Sequence, residues 1–430
     1  MPWPMKHDTA FQMAAANIRF GHGITREIGM DLTDMGAKHT MLVIDPLLVD
    51  TPVGETVTES LKKNRVNYEL FDAVLVEPKD SSFKAAAEFA AQGDFDSFVA
   101  VGGGSTIDTA KAANLYATHP ASFFDYVNAP IGRGIPVPAP LKPLIAVPTT
   151  AGTGSETTGV AIFDYEEKHA KTGIAHRYLK PTLGIVDSDN TRTLPPSVAA
   201  SAGLDVLSHA LESYTAMPYG ERPMPAGPLE RPAYQGSNPI SDVWALRALE
   251  LMAKFLPRAV ADPTDDEARA QMLLAAAMAG IGFGNAGVHL PHGMSYPVAG
   301  MVREFRPSGY AVDHPLVPHG ISVILNTPAV VRFTHSADPE RHLQAAAALG
   351  ADISDASPAE AGEVLAERVI YFMKTLGMPN GLGAVGYTVE DIPSLVEGTL
   401  PQHRVTKLAP RPAGSEDLAM LFEDSMTVWD

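Results

Sequence analysis

Short β-branched runs alternate with amphipathic helical stretches through the first part of the chain, and the alternation stops at Leu194-Pro195-Pro196. Met41–Ile44, Tyr68–Phe71, Ser97–Val101, Leu144–Val147 and Leu183–Val186 read as strands. Glu55–Asn64 and Ser81–Gln92 read as helices, the second with Phe83, Ala86, Ala87 and residues 89–91 on or near one face. Strands separated by helices predict a parallel sheet covered by those helices. Beyond Pro196 the apolar spacing becomes three to four, in long Ala- and Leu-rich segments without a strand pattern. The expected architecture is therefore an α/β domain over 1–195 and an all-helical domain over 196–430. A length of 430 residues also exceeds what one ordinary core accommodates. Between Met217 and Pro239 the chain is dense in Pro and Gly and has little periodicity, which reads as a functional flap or a surface excursion. No repeat of fixed period is present.

One strand runs directly into glycines. The segment VGGGSTID at 101–108 ends a strand and opens a helix through Thr109, Ala110 and Lys111. Gly102, Gly103 and Gly104 let the backbone approach a pyrophosphate, and the free N–H groups of a helix start bind the anion. The spacing is not the usual dinucleotide fingerprint, and such a cluster can be a tight turn. A second loop supports the nucleotide reading: PTTAGTGSE at 148–156 follows another strand and offers Thr149, Thr150 and Ser155 to phosphate or ribose. Asp45, at the end of the first strand, suits an adenosine ribose and would select NAD over NADP. Its rival role is a turn-forming Asp-Pro.

Composition narrows the chemistry. The formal charge is −18, from 50 acidic and 32 basic residues. Such a surface disfavours nucleic acid and anionic membranes as partners. There is no cysteine, so thiolate metal sites, cysteine nucleophiles and disulfides are excluded, and His, Asp and Glu are the strong metal ligands left. The longest apolar run, Met272–Gly284, is well short of the roughly 20 residues that span a bilayer. The N-terminal stretch around Trp3, Lys6, Asp8 and Phe11 has no apolar core and no Arg-rich amphipathic pattern. No signal or transit peptide is expected from it, and a cytoplasmic location is.

Asp205 and His209 lie four apart in the helical stretch GLDVLSHALESY, on one face and close enough to share a cation. GVHLPHGMSYP and HPLVPHG add His289, His292, His314 and His319. A carboxylate with two or three imidazoles suits Fe(II) or Zn(II). The plain alternative is a helix with an internal Asp–His hydrogen bond and His-Gly turns elsewhere.

GGGSTIDTAK, PTTAGTGSE, GLDVLSHALESY and the paired PHG motifs together resemble the iron-containing (group III) alcohol dehydrogenases, collinearly over nearly the whole chain. The resemblance implies an N-terminal nucleotide-binding α/β domain with a parallel sheet and an all-α C-terminal domain that carries the metal and the substrate. It implies NAD as cofactor and Fe2+ as metal, with Zn2+ the other candidate. Carried over by position, the metal ligands are Asp205, His209, His292 and His319, with His289 and His314 outside the set. The cofactor residues are Asp45, Gly102, Gly103, Gly104, Ser105, Asp108, Thr149, Thr150, Ser155 and Lys171. One position departs from the pattern: many members have a histidine four residues after the third metal ligand, and here Tyr296 stands there. A phenol can donate a hydrogen bond in catalysis, but with an ordinary pKa of about 10 it is a poor proton shuttle.

Tyr296, FDYVNAPIG, QGSNPISD and RVTKLAPRP resemble the hydroxyacid–oxoacid transhydrogenase branch of that family. This implies oxidation of a 4-hydroxyacid such as 4-hydroxybutyrate and reduction of a 2-oxoacid such as 2-oxoglutarate, with NAD carrying the hydride. The alternatives are an ordinary NAD-dependent alcohol dehydrogenase or aldehyde reductase, a lyase of the dehydroquinate synthase type, and a non-catalytic nucleotide-binding protein. The partners expected are small hydroxyacids and oxoacids, and a homodimer is compatible with them. Anionic substrates on an acidic protein need a local cation. The candidates are Arg222, Arg231, Arg404, Lys407 and Arg411.

Overall fold

The computed structural model describes residues 6–168 and 170–430, so Trp3 lies outside the described residues. The chain divides into two compact units, Ala15–Leu194 and a second made of Met1–Ala14 with Pro195–Asp430. Each is described by itself.

In the first unit, β1 (Asn17–Gly21), β2 (His39–Ile44), β3 (Asn67–Phe71), β4 (Ser97–Gly102), β5 (Leu144–Pro148) and β8 (Leu183–Asp187) form one sheet in the order β1-β8-β5-β4-β2-β3. Every pairing in it is parallel. Helices α1 (Pro52–Lys63), α2 (Asp80–Gln92) and α3 (Gly104–Thr118) supply the crossovers that parallel pairing requires. Alternate residues of each strand face opposite sides. Leu42, Ile44, Val99, Val101, Ile145, Val147 and Ile185 therefore meet Val57 and Leu61 of α1 on one face. Met41, Val43, Phe98, Ala100 and Ala146 meet Ala86 of α2 and Ile107 and Ala110 of α3 on the other. Burial on both faces is why these strands read as continuous apolar runs. A separate antiparallel pair, β6 (Val160–Tyr165) with β7 (Ala170–Ala175), had no counterpart in the sequence reading.

The second unit contains no named strand among the described residues. Its helices include α4 (Pro196–Thr215), α5 (Pro239–Ala261), α6 (Asp266–Ala286), α7 (Leu290–Gly300), the short α8 (His319–Ile324) and α9 (His403–Thr406). Proline occupies the first turn of α4 and α5, where its missing N–H costs nothing. Asn238 caps α5 by accepting from the N–H groups of Ile240 and Ser241. The apolar run Met272–Gly284 lies in α6 and is mostly buried. Among the described residues no single helix is long and apolar enough to cross a membrane.

The sequence reading places the whole N-terminus in the α/β domain, whereas residues 6–14 belong with the helical unit. The reason is a set of long-range hydrogen bonds. Asp8 N–H donates to the Arg222 carbonyl at 2.8 Å, Gln12 N–H to Gln235 Oε1 at 2.8 Å, and Ala14 N–H to Asn285 Oδ1 at 2.9 Å. The Asp8 carboxylate is fully buried and takes hydrogen bonds from both Arg222 and Arg231. The same ion pairs pin the Pro-rich segment 217–239, whose Arg222, Gln235, Ser237 and Asn238 are all buried. That segment is a strapped loop in this structure.

Arg231 foremost, with Arg222, holds the Asp8 carboxyl well below the usual carboxylate range. The stabilisation is therefore present above the ordinary carboxylate pKa of about 4 and is lost as pH falls below it. Asp8→Asn leaves the buried Arg222 and the partly buried Arg231 without their counter-charge; removing one partner of a buried ion pair costs about 3–5 kcal/mol. We expect its urea-unfolding midpoint at neutral pH to fall accordingly. An unchanged midpoint would contradict this reading of the strap.

Candidate active site

Parallel pairing brings three loops to neighbouring strand ends in the α/β unit. Gly102 on β4 is opposite Pro148 on β5. Thr149 N–H donates to the Gly102 carbonyl at 3.0 Å, and Asp45 N–H to the Val101 carbonyl at 3.1 Å. The carboxyl ends of the central strands are where open parallel sheets take ligands. Helix α3 starts at Gly104 with Gly103 as its cap and no side chain on its first N–H groups. The glycine loop nests on the second loop. A Cβ at Gly104 would come 2.6 Å from Thr153 Cγ2, and one at Gly103 3.3 Å from Thr150. A larger residue at 104 would push the two loops apart.

Several residues expected at the cofactor lie one layer deeper. Asp108 accepts from Ser155 Oγ at 2.5 Å and from the Ile162 N–H at 2.9 Å. Lys111 Nζ donates to Ser155 Oγ at 2.6 Å and to the Val160 carbonyl at 2.8 Å. Asp108, Ser155 and Lys111 thus clamp the start of α3 to the second loop. Lys111 is fully buried, and that burial lowers its pKa. Lys171 is also buried and lies 2.5 Å from Glu77 and 3.0 Å from Asp164. Burial alone would lower its pKa, but the two carboxylates outweigh it and raise the pKa. The Glu77 N–H in turn donates to Ser105 Oγ at 3.2 Å. Lys171 is thereby linked to the glycine loop through Glu77, a residue the sequence reading did not single out. Asp45 accepts from the Leu47 N–H at 2.9 Å, so the turn-forming role weighed above is realised, with one carboxylate oxygen engaged in it.

In the helical unit Asp205, His209, His292 and His319 come together, each offering one ligand atom, all within 4.8 Å of one another. Asp205 and His209 are successive turns of α4. His292 is on the first turn of α7, and His319 opens α8. Glycine seats the third element: a Cβ at Gly320 would stand 2.0 Å from the Ser201 carbonyl oxygen, so α8 reaches α4 only without one. His292 Nε2 is buried with no hydrogen-bond partner among the described residues, and lies 3.7 Å from Asp205 Oδ1.

Its other nitrogen is fixed. His292 Nδ1–H donates to Glu212 Oε1 at 2.6 Å, and Glu212 Oε2 accepts from the His289 backbone N–H at 2.6 Å. Glu212 is fully buried. Burial opposes its charge, but His292 outweighs that and the carboxyl stays below its ordinary pKa. His292 is raised above its ordinary value: burial opposes the charged form, Glu212 overcomes it, and Arg404 works against it. Glu212 was missed by sequence reading, although it lies seven residues after Asp205 on the same helix face. His289 stays outside the cluster, its Nε2 3.0 Å from Thr215 Oγ1 and its pKa pushed down to about 4 by burial. His314 is exposed beside Asp313. Tyr296, one turn after His292, is buried, and its hydroxyl accepts from Arg404 Nη2 at 2.8 Å.

Parallel-sheet loops suited to a nucleotide and a largely buried three-imidazole, one-carboxylate cluster suit an enzyme that uses a nucleotide cofactor and a metal, and comparison with known proteins shows the class to be an oxidoreductase. The family model described as "Iron-containing alcohol dehydrogenase" matches residues 15–188, and "Fe-containing alcohol dehydrogenase family, C-terminal" matches 230–426. The chain belongs to the iron-containing alcohol dehydrogenase family. It is similar to "Hydroxyacid-oxoacid transhydrogenase, mitochondrial" of Bos taurus, with 60% identity over 98% of this chain and 91% of that protein. Among solved structures it resembles a 1,3-propanediol oxidoreductase (TM-score 0.84, 26% identity, covering 97% of this chain and 100% of that one). It also resembles the sulfoacetaldehyde reductase of Bifidobacterium kashiwanohense in complex with NAD+ (TM-score 0.78, 27% identity, 97% and 98%). The cytoplasmic location expected from the N-terminal composition is overturned by these comparisons, because the Bos taurus relative is named mitochondrial. Composition around Lys6 and Asp8 was too weak a guide to decide a compartment.

Proposed function

We propose that this enzyme is a hydroxyacid–oxoacid transhydrogenase. It would oxidise a 4-hydroxyacid of the 4-hydroxybutyrate kind and pass the hydride through NAD to a 2-oxoacid of the 2-oxoglutarate kind. The observation that carries the reading is the 60% identity to the Bos taurus transhydrogenase across nearly all of this chain, joined to the four-ligand cluster. In the first half-reaction the alcohol loses a hydride to NAD and a proton, and leaves as the semialdehyde. In the second, the 2-oxoacid gains that hydride and a proton and leaves as the 2-hydroxyacid. The α/β unit would hold NAD, and the helical unit the metal and the organic substrates.

The residues fit both groups. Gly102, Gly103 and Gly104 would give a pyrophosphate a surface without side chains above a free helix start, with the Ser105 hydroxyl beside them. Asp45, Thr149 and Thr150 flank it, while Asp108, Ser155 and Lys171 hold the loops in place. At Asp205, His209, His292 and His319 the donor set of three imidazoles and one carboxylate, with His292 Nε2 unpartnered, suits Fe2+, and Zn2+ as the second choice. A divalent cation bound there supplies Lewis-acid stabilisation of the charge that grows on the substrate oxygen during hydride transfer. Glu212 sets the tautomer of His292, so that Nε2 carries the lone pair. Tyr296 accepts from Arg404, which leaves its O–H as a hydrogen-bond donor toward the substrate oxygen.

Purified protein should contain a stoichiometric divalent metal by elemental analysis, and His209→Ala and His292→Ala should lose it. Glu212→Gln should weaken metal affinity roughly 10- to 100-fold, and His289→Ala should keep the metal. Loss in His289→Ala with retention in His292→Ala would overturn the ligand assignment. Initial rates with 4-hydroxybutyrate and 2-oxoglutarate should give ping-pong kinetics without added NAD. Steady release of NADH at 340 nm with the alcohol alone would favour the ordinary dehydrogenase.

A further inference from the structure

The charge that recognises an acidic substrate can be located by elimination and then by geometry. Arg222 and Arg231 are both committed to the buried Asp8 carboxylate. Arg411 donates to the Phe333 carbonyl at 3.1 Å and stacks over its ring at 3.9 Å. Lys407 is exposed. Arg404 differs from all four. Its Nη2 is held by Tyr296 and its guanidinium lies 5.1 Å over the ring of Tyr234. Its Nη1 is buried with no hydrogen-bond partner among the described residues. No carboxylate of the described residues forms an ion pair with it. Arg404 is partly buried, with Nη1 fully so, and a cation withdrawn from water is ordinarily matched by an anion and by hydrogen bonds to its N–H groups; among the described residues two tyrosines attend it.

Arg404 also closes a ring of contacts around the metal-ligand cluster. The imidazole of His209 stacks on Phe283 at 3.9 Å and faces His292 at 4.7 Å. Phe283 meets Tyr234 at 6.4 Å, Tyr234 lies under Arg404, and Arg404 holds Tyr296, one turn along α7 from His292. Glycines permit this closure. A Cβ at Gly293, the neighbour of His292, would come 2.6 Å from Thr406 Cγ2, and one at Gly287 2.4 Å from Leu408 Cδ1. Without side chains at these two positions the α9 segment packs directly on α7, which brings Arg404 to Tyr296.

We propose that Arg404 is the anchor for the substrate carboxylate, with Nη1 as the donor, and that this one anchor serves both half-reactions. The proposal rests on the transhydrogenase reading and names the residue that selects its substrates. In a 4-hydroxyacid the carbinol carbon and the carboxyl carbon are separated by the same length of chain as the keto carbon and the distal carboxyl carbon of 2-oxoglutarate. A single fixed cation beside the cluster therefore places either reacting carbon at the same spot. A shorter hydroxyacid, or a 2-oxoacid lacking the distal carboxylate, cannot span the distance.

The test uses the holoenzyme of the wild type, Arg404→Met, Arg404→Lys and a surface control, Lys407→Met. Glutarate, an unreactive dicarboxylate, serves as the binding probe in calorimetry. Rates are compared for 4-hydroxybutyrate and its neutral isostere 4-hydroxybutanamide. Arg404→Met should lose about 100-fold in kcat/KM for 4-hydroxybutyrate and 2-oxoglutarate, mainly through KM, and should lose glutarate binding. It should change the amide only a few-fold, and Arg404→Lys should recover part of the loss because it keeps the charge without the fork. Lys407→Met should behave as wild type. Equal losses on acid and amide, or unchanged glutarate binding in both Arg404 variants, would overturn the anchor. Should Arg404→Met fail to fold, Arg404→Lys decides: wild-type discrimination between 3-hydroxypropionate and 4-hydroxybutyrate with undiminished glutarate affinity would overturn it. A wild type that binds glutarate through Arg404 yet does not couple the two substrates leaves the anchor standing and removes the transhydrogenase reading instead.

Discussion

Glu212 is a carboxylate with no access to water, held between two helices whose sequences are far apart. One of its oxygens takes the ring proton of His292 and the other the backbone proton of His289. Burying a carboxylate is costly unless it is fully hydrogen-bonded and its charge is balanced. Both conditions are met at one place, the meeting of α4 with the start of α7. Asp205 and His209 sit on the same face of α4, so the bond that pays for Glu212 also fixes where His292 stands relative to them. Gly320 then allows α8 to bring His319 to the remaining side. The tautomer of His292 follows from the same contact, because a proton on Nδ1 leaves Nε2 as the lone pair facing Asp205.

The α/β unit solves its own problem by a different device. The central strands of its sheet are buried on both faces, so polar groups are expelled to the strand ends. Asp45, Gly102 and Thr149 are placed side by side by the register of β2, β4 and β5. Beneath them Lys111, Asp108 and Ser155 form a buried network that ties one loop to the other. Charged groups in that layer stiffen the loops, which leaves backbone N–H groups and small hydroxyls as the surface offered above.

Much of this was legible in the sequence, for physical reasons that differ by residue. The central strands could be read because two-sided burial makes Met41–Ile44 and Ser97–Val101 continuous apolar runs. Asp205 and His209 could be read because helix periodicity places them on one face. The edge strand Asn17–Gly21 could not, since it is half-exposed and too short to show alternation. The β6–β7 hairpin was hidden because Ala170, Gly173 and Ala175 carry little strand signal. Glu212 shows the general obstacle: its position on the Asp205 face was visible, but its function depends on which helix packs there. Tertiary pairing likewise decided the fates of Arg222 and Arg231, which no local pattern connects to Asp8, and of Lys171, whose partners Glu77 and Asp164 are distant in sequence or on the facing strand.

The proposed transhydrogenase reaction requires that hydride pass between two organic substrates on a cofactor that does not leave. The direct measurement is isotopic. Wild-type enzyme is supplied with 4-hydroxybutyrate deuterated at its carbinol carbon, 2-oxoglutarate and an excess of unlabelled NADH, and the 2-hydroxyglutarate formed is analysed by mass spectrometry. The account predicts that the deuterium is retained in 2-hydroxyglutarate despite the unlabelled pool. Dilution of the label into free NADH would contradict it.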